Sequence, residues 1–295
     1  MGWKICHCCP WNGNILMKIG VTGGTGFIGS HVVNHLLNDG HELLVTGTNE
    51  GEAQKQEWYG SVRFLRLNIH EPEDNLVYRQ LADCDEVIHL VWNGLPYYQE
   101  LFHYEENLMP QYLFLKRLIE LGLQELIVTG TCLEYGMKSG ALNVQMPAEP
   151  TNAYALAKDT LHRFLRILRN THKFNFRWIR LFYMYGKGQS PKSLLSQLDQ
   201  ALDSGEKSFN MTGGNQMRDY LPVEDVAEQI IAVASNHGTS GVYNCCSGNP
   251  VSIRKLVEDH LSTRGKTIIL NLGYYPYPDY EPMDFWGEPG SMNYE

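Results

Sequence analysis

Met17-Lys18-Ile19-Gly20-Val21-Thr22-Gly23-Gly24-Thr25-Gly26-Phe27-Ile28-Gly29 is the stretch whose reading decides the fold. Its apolar first part has the composition of a buried parallel strand, and it runs into three glycines spaced three apart, Gly23, Gly26 and Gly29. Ser30-His31-Val32-Val33 follows with helical character. The first glycine permits a tight turn, the second lets backbone approach a diphosphate, and the third lets the helix pack closely on the strand. Free N–H groups and the dipole at the helix start then favour an anion. Three glycines alone also fit an ordinary strand-to-helix turn. The strand before them and the helix after them weight the reading towards a dinucleotide-binding turn.

Working outward, Ile28, Val32, Val33, Leu36 and Leu37 form one apolar helix stripe, closed by Asn38-Asp39-Gly40. Leu43-Leu44-Val45 reads as a second strand, whose end, Thr46-Gly47-Thr48-Asn49, carries no acid before Glu50 and no arginine. An acid there would bind the ribose 2′-hydroxyl of NAD, and an arginine a 2′-phosphate. NAD and NADP both stay open. Residues 62–67 read as a third strand, ending at Asn68-Ile69, and 86–91 as a fourth, after a helix over 76–82. A helix over 104–121 leads to a fifth strand at 125–129. Strands that alternate with helices and are apolar on both faces predict a parallel sheet covered on each side. His89, in mid-strand, reads as a satisfied core histidine.

With 295 residues, 43% hydrophobic and 19% charged, the chain has material for one large α/β domain with a smaller appendage. A net charge of −9 argues against a nucleic-acid surface, and no apolar run is long enough to span a membrane. Cys84, Cys132, Cys245 and Cys246 stand in apolar settings and read as small buried residues. The odd cysteine count, with no signal-peptide pattern, points to a reducing cytoplasm. Cys6-His7-Cys8-Cys9 is spaced too closely for a tetrahedral site, so no metal is expected, and residues 1–16 read as a loose, disordered extension ahead of the first strand.

Thr129-Gly130-Thr131-Cys132-Leu133-Glu134-Tyr135-Gly136 falls at a strand's carboxyl end, where open α/β sheets bind ligands. Pro150-Thr151-Asn152-Ala153 then caps a long helix carrying Tyr154 and Lys158, four apart and on one face. Such a pair is commonly no more than surface decoration. Its place after a dinucleotide-binding half and a threonine-bearing strand end favours a functional role. A sixth strand begins near Phe176 and ends with Leu181-Phe182-Tyr183-Met184-Tyr185-Gly186; 223–234 read as a helix, 241–245 as a strand, and Ser252 as the cap of a helix over 253–261.

Four motifs in this order, Gly23-x-x-Gly26-x-x-Gly29, Thr131 to Tyr135-Gly136, Tyr154-x-x-x-Lys158 and Arg218-Asp219-Tyr220-Leu221-Pro222-Val223-Glu224-Asp225-Val226, resemble the extended short-chain dehydrogenases/reductases. This is the NAD-dependent epimerase/dehydratase group, and the likeness covers about residues 17–288. The resemblance implies an α/β, Rossmann-like, doubly wound parallel sheet over 17–186 and 222–250, with a smaller discontinuous substrate-binding cap over 187–221 and 251–295. It also implies NAD or NADP as cofactor, held by Gly23, Gly26, Phe27, Ile28, Gly29, Thr48, Asn49, Asn68, Ile69, Leu90, Val91, Trp92, Asn107, Tyr154, Lys158 and Phe182. The implied partner is a sugar nucleotide, met by Thr131, Tyr183, Gln189 and Arg218, with Arg218 a clamp on its diphosphate. A plainer reading pairs Arg218 locally with Asp219 at a helix start. Homodimers through the helix carrying Tyr154 are frequent in the family.

Several strings are similar to reductases of 4-keto-6-deoxy sugar nucleotides, including the dTDP-6-deoxytalose-forming ones: 89–96, 130–136, 182–186 and 281–287. The 4,6-dehydratases carry Asp-Glu directly after the catalytic threonine; Cys132 and Leu133 stand here, which sets dehydration aside. The implied chemistry is hydride delivery to a ketone, with Tyr154 giving the proton and Lys158 drawing the phenol down from its usual pKa of about 10. Thr131 would donate to the substrate oxygen. A nucleotide-sugar 4-epimerase using the same residues is the runner-up, and a non-catalytic NAD(P)-binding regulatory subunit is a third reading. Two departures from the family stand out. Tyr277-Pro278-Asp279-Tyr280 replaces the stretch where similar reductases have a second arginine, and the sequence ends at Glu295 without a further helix, as if the cap were shortened.

Overall fold

The structure, a computed structural model, describes residues 16–71 and 74–293. Cys6-His7-Cys8-Cys9 and all but the last residue of the expected extension lie outside the described residues. The chain runs β1 (Lys18–Thr22), α1 (Phe27–Asn38), β2 (Glu42–Gly47), α2 (Glu50–Ala53), β3 (Arg63–Arg66), α3 (Asn75–Ala82), β4 (Glu86–His89), α4 (Leu108–Glu120) and β5 (Glu125–Thr131). It continues through β6 (Gly140–Leu142), α5 (Ala153–Leu168), β7 (Asn175–Leu181), β8 (Tyr183–Tyr185), α6 (Leu194–Asp203), β9 (Ser208–Asn210), β10 (Met217–Arg218) and β11 (Tyr220–Pro222). The last elements are α7 (Val223–Ala234), β12 (Gly241–Cys245), β13 (Val251–Ser252), α8 (Ile253–Arg264), β14 (Ile269–Asn271), β15 (Phe285–Gly287) and β16 (Ser291–Asn293).

The main sheet has the order β16-β12-β7-β5-β4-β1-β2-β3. Seven of these strands are parallel, with β16 antiparallel on β12. The order reverses between β1 and β4, and such a reversal opens a crevice at the carboxyl ends of the strands. The strands are apolar on both faces because both are covered. Val32, Val33 and Leu36 of α1 join Val226 and Ile230 of α7 on one face, with Ile19 and Val21 of β1 beneath. Leu81, Leu115, Leu118, Leu161 and Leu165, from α3, α4 and α5, pack with Val87, Leu126 and Trp178 on the other. A separate apolar cluster, including Leu198, Phe209, Val257 and Leu261, joins α6, β9 and α8 away from the sheet.

The assignment of all of 251–295 to the cap is corrected at its end. β15 pairs with β6, and β16 extends the main sheet at Gly241↔Asn293, Val242↔Met292 and Tyr243↔Ser291. The returning chain covers what would otherwise be an open sheet edge. Boundaries differ elsewhere too. β5 runs to Thr131, β4 stops at His89, and the helix expected over 104–121 opens with a π turn at His103–Asn107. No helix among the described residues is long and apolar enough to cross a membrane.

Candidate active site

The turn after β1 is made of backbone. Gly23 has φ +76°, and the N–H groups of Gly23 and Gly24 both donate to Thr46 O at 3.0 Å, which fixes the turn on β2. A Cβ on Gly29 would lie 2.2 Å from Gly23 O and 2.8 Å from Gly24 Cα, so α1 packs on the turn only because that position is glycine. Gly26 caps α1 with no side chain bonded to the helix start, and no acid stands in the first turn by Phe27 and Ile28. The helix therefore brings no acid of its own to the positive end of its dipole, and the turn fits a dinucleotide diphosphate.

At the end of β2, Thr48 and Asn49 are exposed; the Asn49 side chain caps α2 by accepting from Glu52 N at 3.3 Å. Glu50 accepts from the Tyr59 hydroxyl at 2.7 Å. Asn68, beyond β3, donates to Glu71, which also pairs with Arg66, and Ile69 is buried.

The loop after β4 connects this turn to the catalytic candidates. Leu90 N donates to Thr22 O, and the Gly23 Cα hydrogen faces the Leu90–Val91 peptide, where a Cβ would sit 3.3 Å from both its carbon and its nitrogen. Gln111 holds Val91 O at 3.1 Å, and Asn107 holds Asn93 O at 3.0 Å. Trp92 Nε1 donates to His103 Nδ1 at 3.1 Å, so His103 carries its proton on Nε2 and donates to Tyr97 O at 3.0 Å. The Trp92 ring thereby stands over Lys158, with Nζ 4.2 Å from its centroid. His89 is the core histidine the sequence suggested: buried between Thr22 Oγ1 and Gln111 Oε1, with burial pushing it down to about 3.

Thr131, Tyr154 and Lys158 come together where β5 ends. Asn152 caps α5 by accepting from Ala155 N at 2.9 Å, which sets Tyr154 and Lys158 on the face of the helix towards the sheet. Lys158 Nζ donates to Thr129 O at 2.7 Å, and the Thr131 hydroxyl favours the ionised form of the Tyr154 phenol. Glu134 fixes Thr131 from behind. Its carboxylate accepts from Thr131 N at 2.8 Å, from Trp178 Nε1 at 3.1 Å and from Arg180 Nε at 2.7 Å, entirely buried. A Cβ on Gly130 would strike Trp178 Nε1 and Glu134 Oε1, at 2.2 and 2.4 Å, so glycine is required beneath this network.

The electrostatics differ from the sequence expectation. Burial raises the Tyr154 phenol well above its ordinary range, with the Thr131 hydroxyl opposing it. Burial also pushes Lys158 down to about 7, with Glu134 the opposing influence. Its nitrogen is spent on the Thr129 carbonyl and the Trp92 face. The expected lowering of the phenol by the lysine is therefore corrected: desolvation outweighs it, and Tyr154 holds its proton.

Phe182 is buried beneath the catalytic cluster, while Tyr183 and Arg218 line a cavity of about 330 Å³ between β8 and the cap. Gln189 does not line that cavity; its amide donates to Met184 O at 2.8 Å. Arg218 is corrected in its expected pairing with Asp219. Its guanidinium is 2% exposed and donates to Met217 O at 2.9 Å, Met283 O at 2.7 Å and Pro282 O at 2.8 Å, with Glu281 paired at 3.0 Å. Every N–H of its two terminal nitrogens is thus committed within the protein. It does not pair with Asp219, which accepts instead from Ser247 N, Ser247 Oγ and Gly248 N. Glu281 also accepts from the Tyr183 hydroxyl.

Sequence reasoning missed Glu134, His103 and Glu281. Thr131-x-x-Glu134 is a capping-box spacing, and both of its reciprocal bonds form; that signal was readable. Glu281 acts across a long separation, and the contacts of His103 lie within an irregular loop with no periodic pattern to mark them.

The NAD dependent epimerase/dehydratase family model matches residues 19–246. The dTDP-6-deoxy-L-talose 4-dehydrogenase (NAD(+)) of Aggregatibacter actinomycetemcomitans is 30% identical over 92% of this chain and 99% of its own length. A UDP-glucose 4-epimerase of Halalkalibacterium halodurans is 25% identical over 82% of this chain and 79% of its own. Among solved structures, the UDP-glucuronic acid 4-epimerase from Bacillus cereus, in complex with UDP-glucuronic acid and NAD, superposes with a TM-score of 0.76. It covers 92% of this chain and 90% of its own at 23% identity, a likeness of fold.

Proposed function

The chain belongs to the NAD dependent epimerase/dehydratase family, and from that premise we propose that it is a sugar-nucleotide 4-ketoreductase, acting on a 4-keto-6-deoxy sugar nucleotide with NAD or NADP. The observation that carries this reading is the junction of Thr131, Tyr154 and Lys158, in which the phenol is kept protonated by burial. A reductase needs a proton donor when an alkoxide forms, and a buried, neutral phenol is one. The nicotinamide supplies hydride when bound.

Tyr154 gives its proton to the developing alkoxide, and the Thr131 hydroxyl hydrogen-bonds the same oxygen. Glu134 holds Thr131 in place through the backbone of the strand end. Lys158 stays on the Thr129 carbonyl beneath the Trp92 ring and orients the ribose side of the site. Gly23, Gly26 and Gly29 leave the helix start open to the cofactor diphosphate, with Leu90 and Val91 packed beside it.

The test is cofactor oxidation with a 4-keto-6-deoxy sugar nucleotide. Wild type should consume reduced cofactor one for one with substrate, and Tyr154→Phe should turn over about 10²–10⁴-fold more slowly. Near-normal turnover in the variant would remove Tyr154 from its role. A 4-epimerase is the second reading, favoured by the UDP-glucose 4-epimerase among the relatives. It would return the cofactor unchanged, so stoichiometry separates the two.

A further inference from the structure

The π turn at His103–Asn107 holds the loop after β4 by both of its ends. Asn107 donates to Asn93 O at 3.0 Å, and His103 Nδ1 accepts from Trp92 Nε1 at 3.1 Å. Such turns interrupt the regular helix ladder and are frequent at functional sites. An indole N–H can only donate, and the Tyr97 carbonyl on the other ring nitrogen, at 3.0 Å, can only accept. Both bonds therefore exist for one form of the imidazole, neutral with its proton on Nε2. A second proton would set an Nδ1–H against the indole N–H, donor against donor. What the bond holds is the Trp92 ring, which covers Lys158 Nζ at 4.2 Å and packs edge-on against Tyr154 at 5.9 Å. The groups facing the imidazole are Tyr154 and Lys158 from α5, and Trp92, Tyr97, Glu100 and Phe102 from the loop after β4. Burial holds His103 below its ordinary 6.5; Lys158 acts the same way, and the Tyr97 carbonyl and Glu100 oppose. The surroundings keep this histidine neutral at neutral pH.

We propose that His103 is a positioning residue for the catalytic pair: its unprotonated Nδ1 holds the Trp92 ring across Lys158 and beside Tyr154, and protonation of His103 releases that ring. The proposal rests on the reading of Tyr154 and Lys158 as the working pair, and it holds for reduction and epimerisation alike. It adds a control that neither of those residues carries. Acid lowers activity by breaking a hydrogen bond away from the reacting atoms, and no proton passes between His103 and substrate.

Two measurements on the full chain test this. The first follows the Trp92 indole N–H by nitrogen-15 NMR with NAD at saturation, the signal being assigned by its absence in Trp92→Phe. In wild type it should move on acidification with a midpoint below 6.5. In His103→Asn, whose side-chain carbonyl accepts from the indole and does not titrate, it should stay in place. The second is turnover of a 4-keto-6-deoxy sugar nucleotide with reduced cofactor. His103→Leu, which has no acceptor, should lower kcat about tenfold at neutral pH, the worth of one hydrogen bond, and leave the KM for cofactor unchanged. His103→Asn should restore kcat and lack the acid limb that wild type shows below pH 6.5. A Trp92 signal that ignores pH in wild type, or that moves equally in His103→Asn, would overturn the proposal. Equal losses of kcat in His103→Leu and His103→Asn would do the same. Wild type that turns over no keto-sugar nucleotide, while its Trp92 signal follows His103, would sink the sugar-nucleotide reading and leave the positioning role standing.

Discussion

The turn at the head of α1 and the cavity of the cap both suit anions, but they are made of different material. The turn offers backbone N–H groups and a helix end, with no charged side chain and with glycine wherever a Cβ would collide. The cavity offers side-chain charge, gathered from segments far apart: Arg218 meets Pro282 across 64 residues, and Lys192 meets Tyr97 across 95. A backbone site is intolerant of added volume and indifferent to the loss of any one charge. A side-chain site is the reverse, since it depends on particular charged groups and on the partners that hold them. Substitutions that add a methyl should therefore harm the first region, and substitutions that remove a charge should harm the second.

The largest effect is expected in the cap. Arg218→Met strips Glu281 of its cation, removes the Arg218 donor from the Pro282 carbonyl and leaves the Met283 carbonyl to Met217 N alone. Removing one partner of a buried pair costs about 3–5 kcal/mol. Urea denaturation should show that loss, and Arg218→Met with Glu281→Gln should recover part of it, because the stranded carboxylate is gone. A cost below about 1 kcal/mol, the range of exposed pairs, would mean that the cap is not organised around this pair.

A smaller effect is expected in the turn. Gly29→Ala drives a Cβ into Gly23 O at 2.2 Å and Gly24 Cα at 2.8 Å, which are backbone atoms that cannot rotate aside. Overpacking of this kind costs about 1–3 kcal/mol, and the shifted turn should lose NAD affinity. Gly24→Ala is the paired control. Its Cβ meets the Val45 Cγ1 methyl at 2.2 Å, and its three nearest neighbours are side-chain and not backbone atoms, so it should cost less. Equal losses in stability and NAD titration for the two variants would break the argument that backbone contact, and not mere crowding, defines this region.

The same contrast explains what could be read before the fold was known. The turn was legible because each of its requirements appears as glycine at a fixed spacing behind an apolar strand. Tyr154 and Lys158 were legible because a helix brings residues four apart to one face. Arg218 was identified as a cavity residue, but its partner Glu281 could not be, since nothing local to either residue records a contact made across that distance. Lys158 shows a second limit. A sequence gives a lysine as a charge, whereas the sign of its effect on Tyr154 depends on how completely both are buried. β16 was unforeseen because three residues are too few to display a strand's alternation.

Lys158 lies between the two regions and belongs fully to neither, and it gives the most specific effect. Burial pushes it from 10.5 down to about 7, against the pull of Glu134. In the window between about 7 and 10.5 the unfolded chain binds a proton there that the folded chain has released. Stability must then rise with pH across that window, by about 1.4 kcal/mol per pH unit for one proton. Below pH 7 the penalty is complete and constant. Other groups titrate in the same range, so the useful quantity is the difference between wild type and Lys158→Met, measured by urea denaturation without cofactor at pH 7, 8 and 9. Wild type should gain on the variant as pH rises. A difference that stays flat would mean that Lys158 keeps its ammonium in the folded protein, where the Trp92 face and the Thr129 carbonyl would then compensate fully for the lost water.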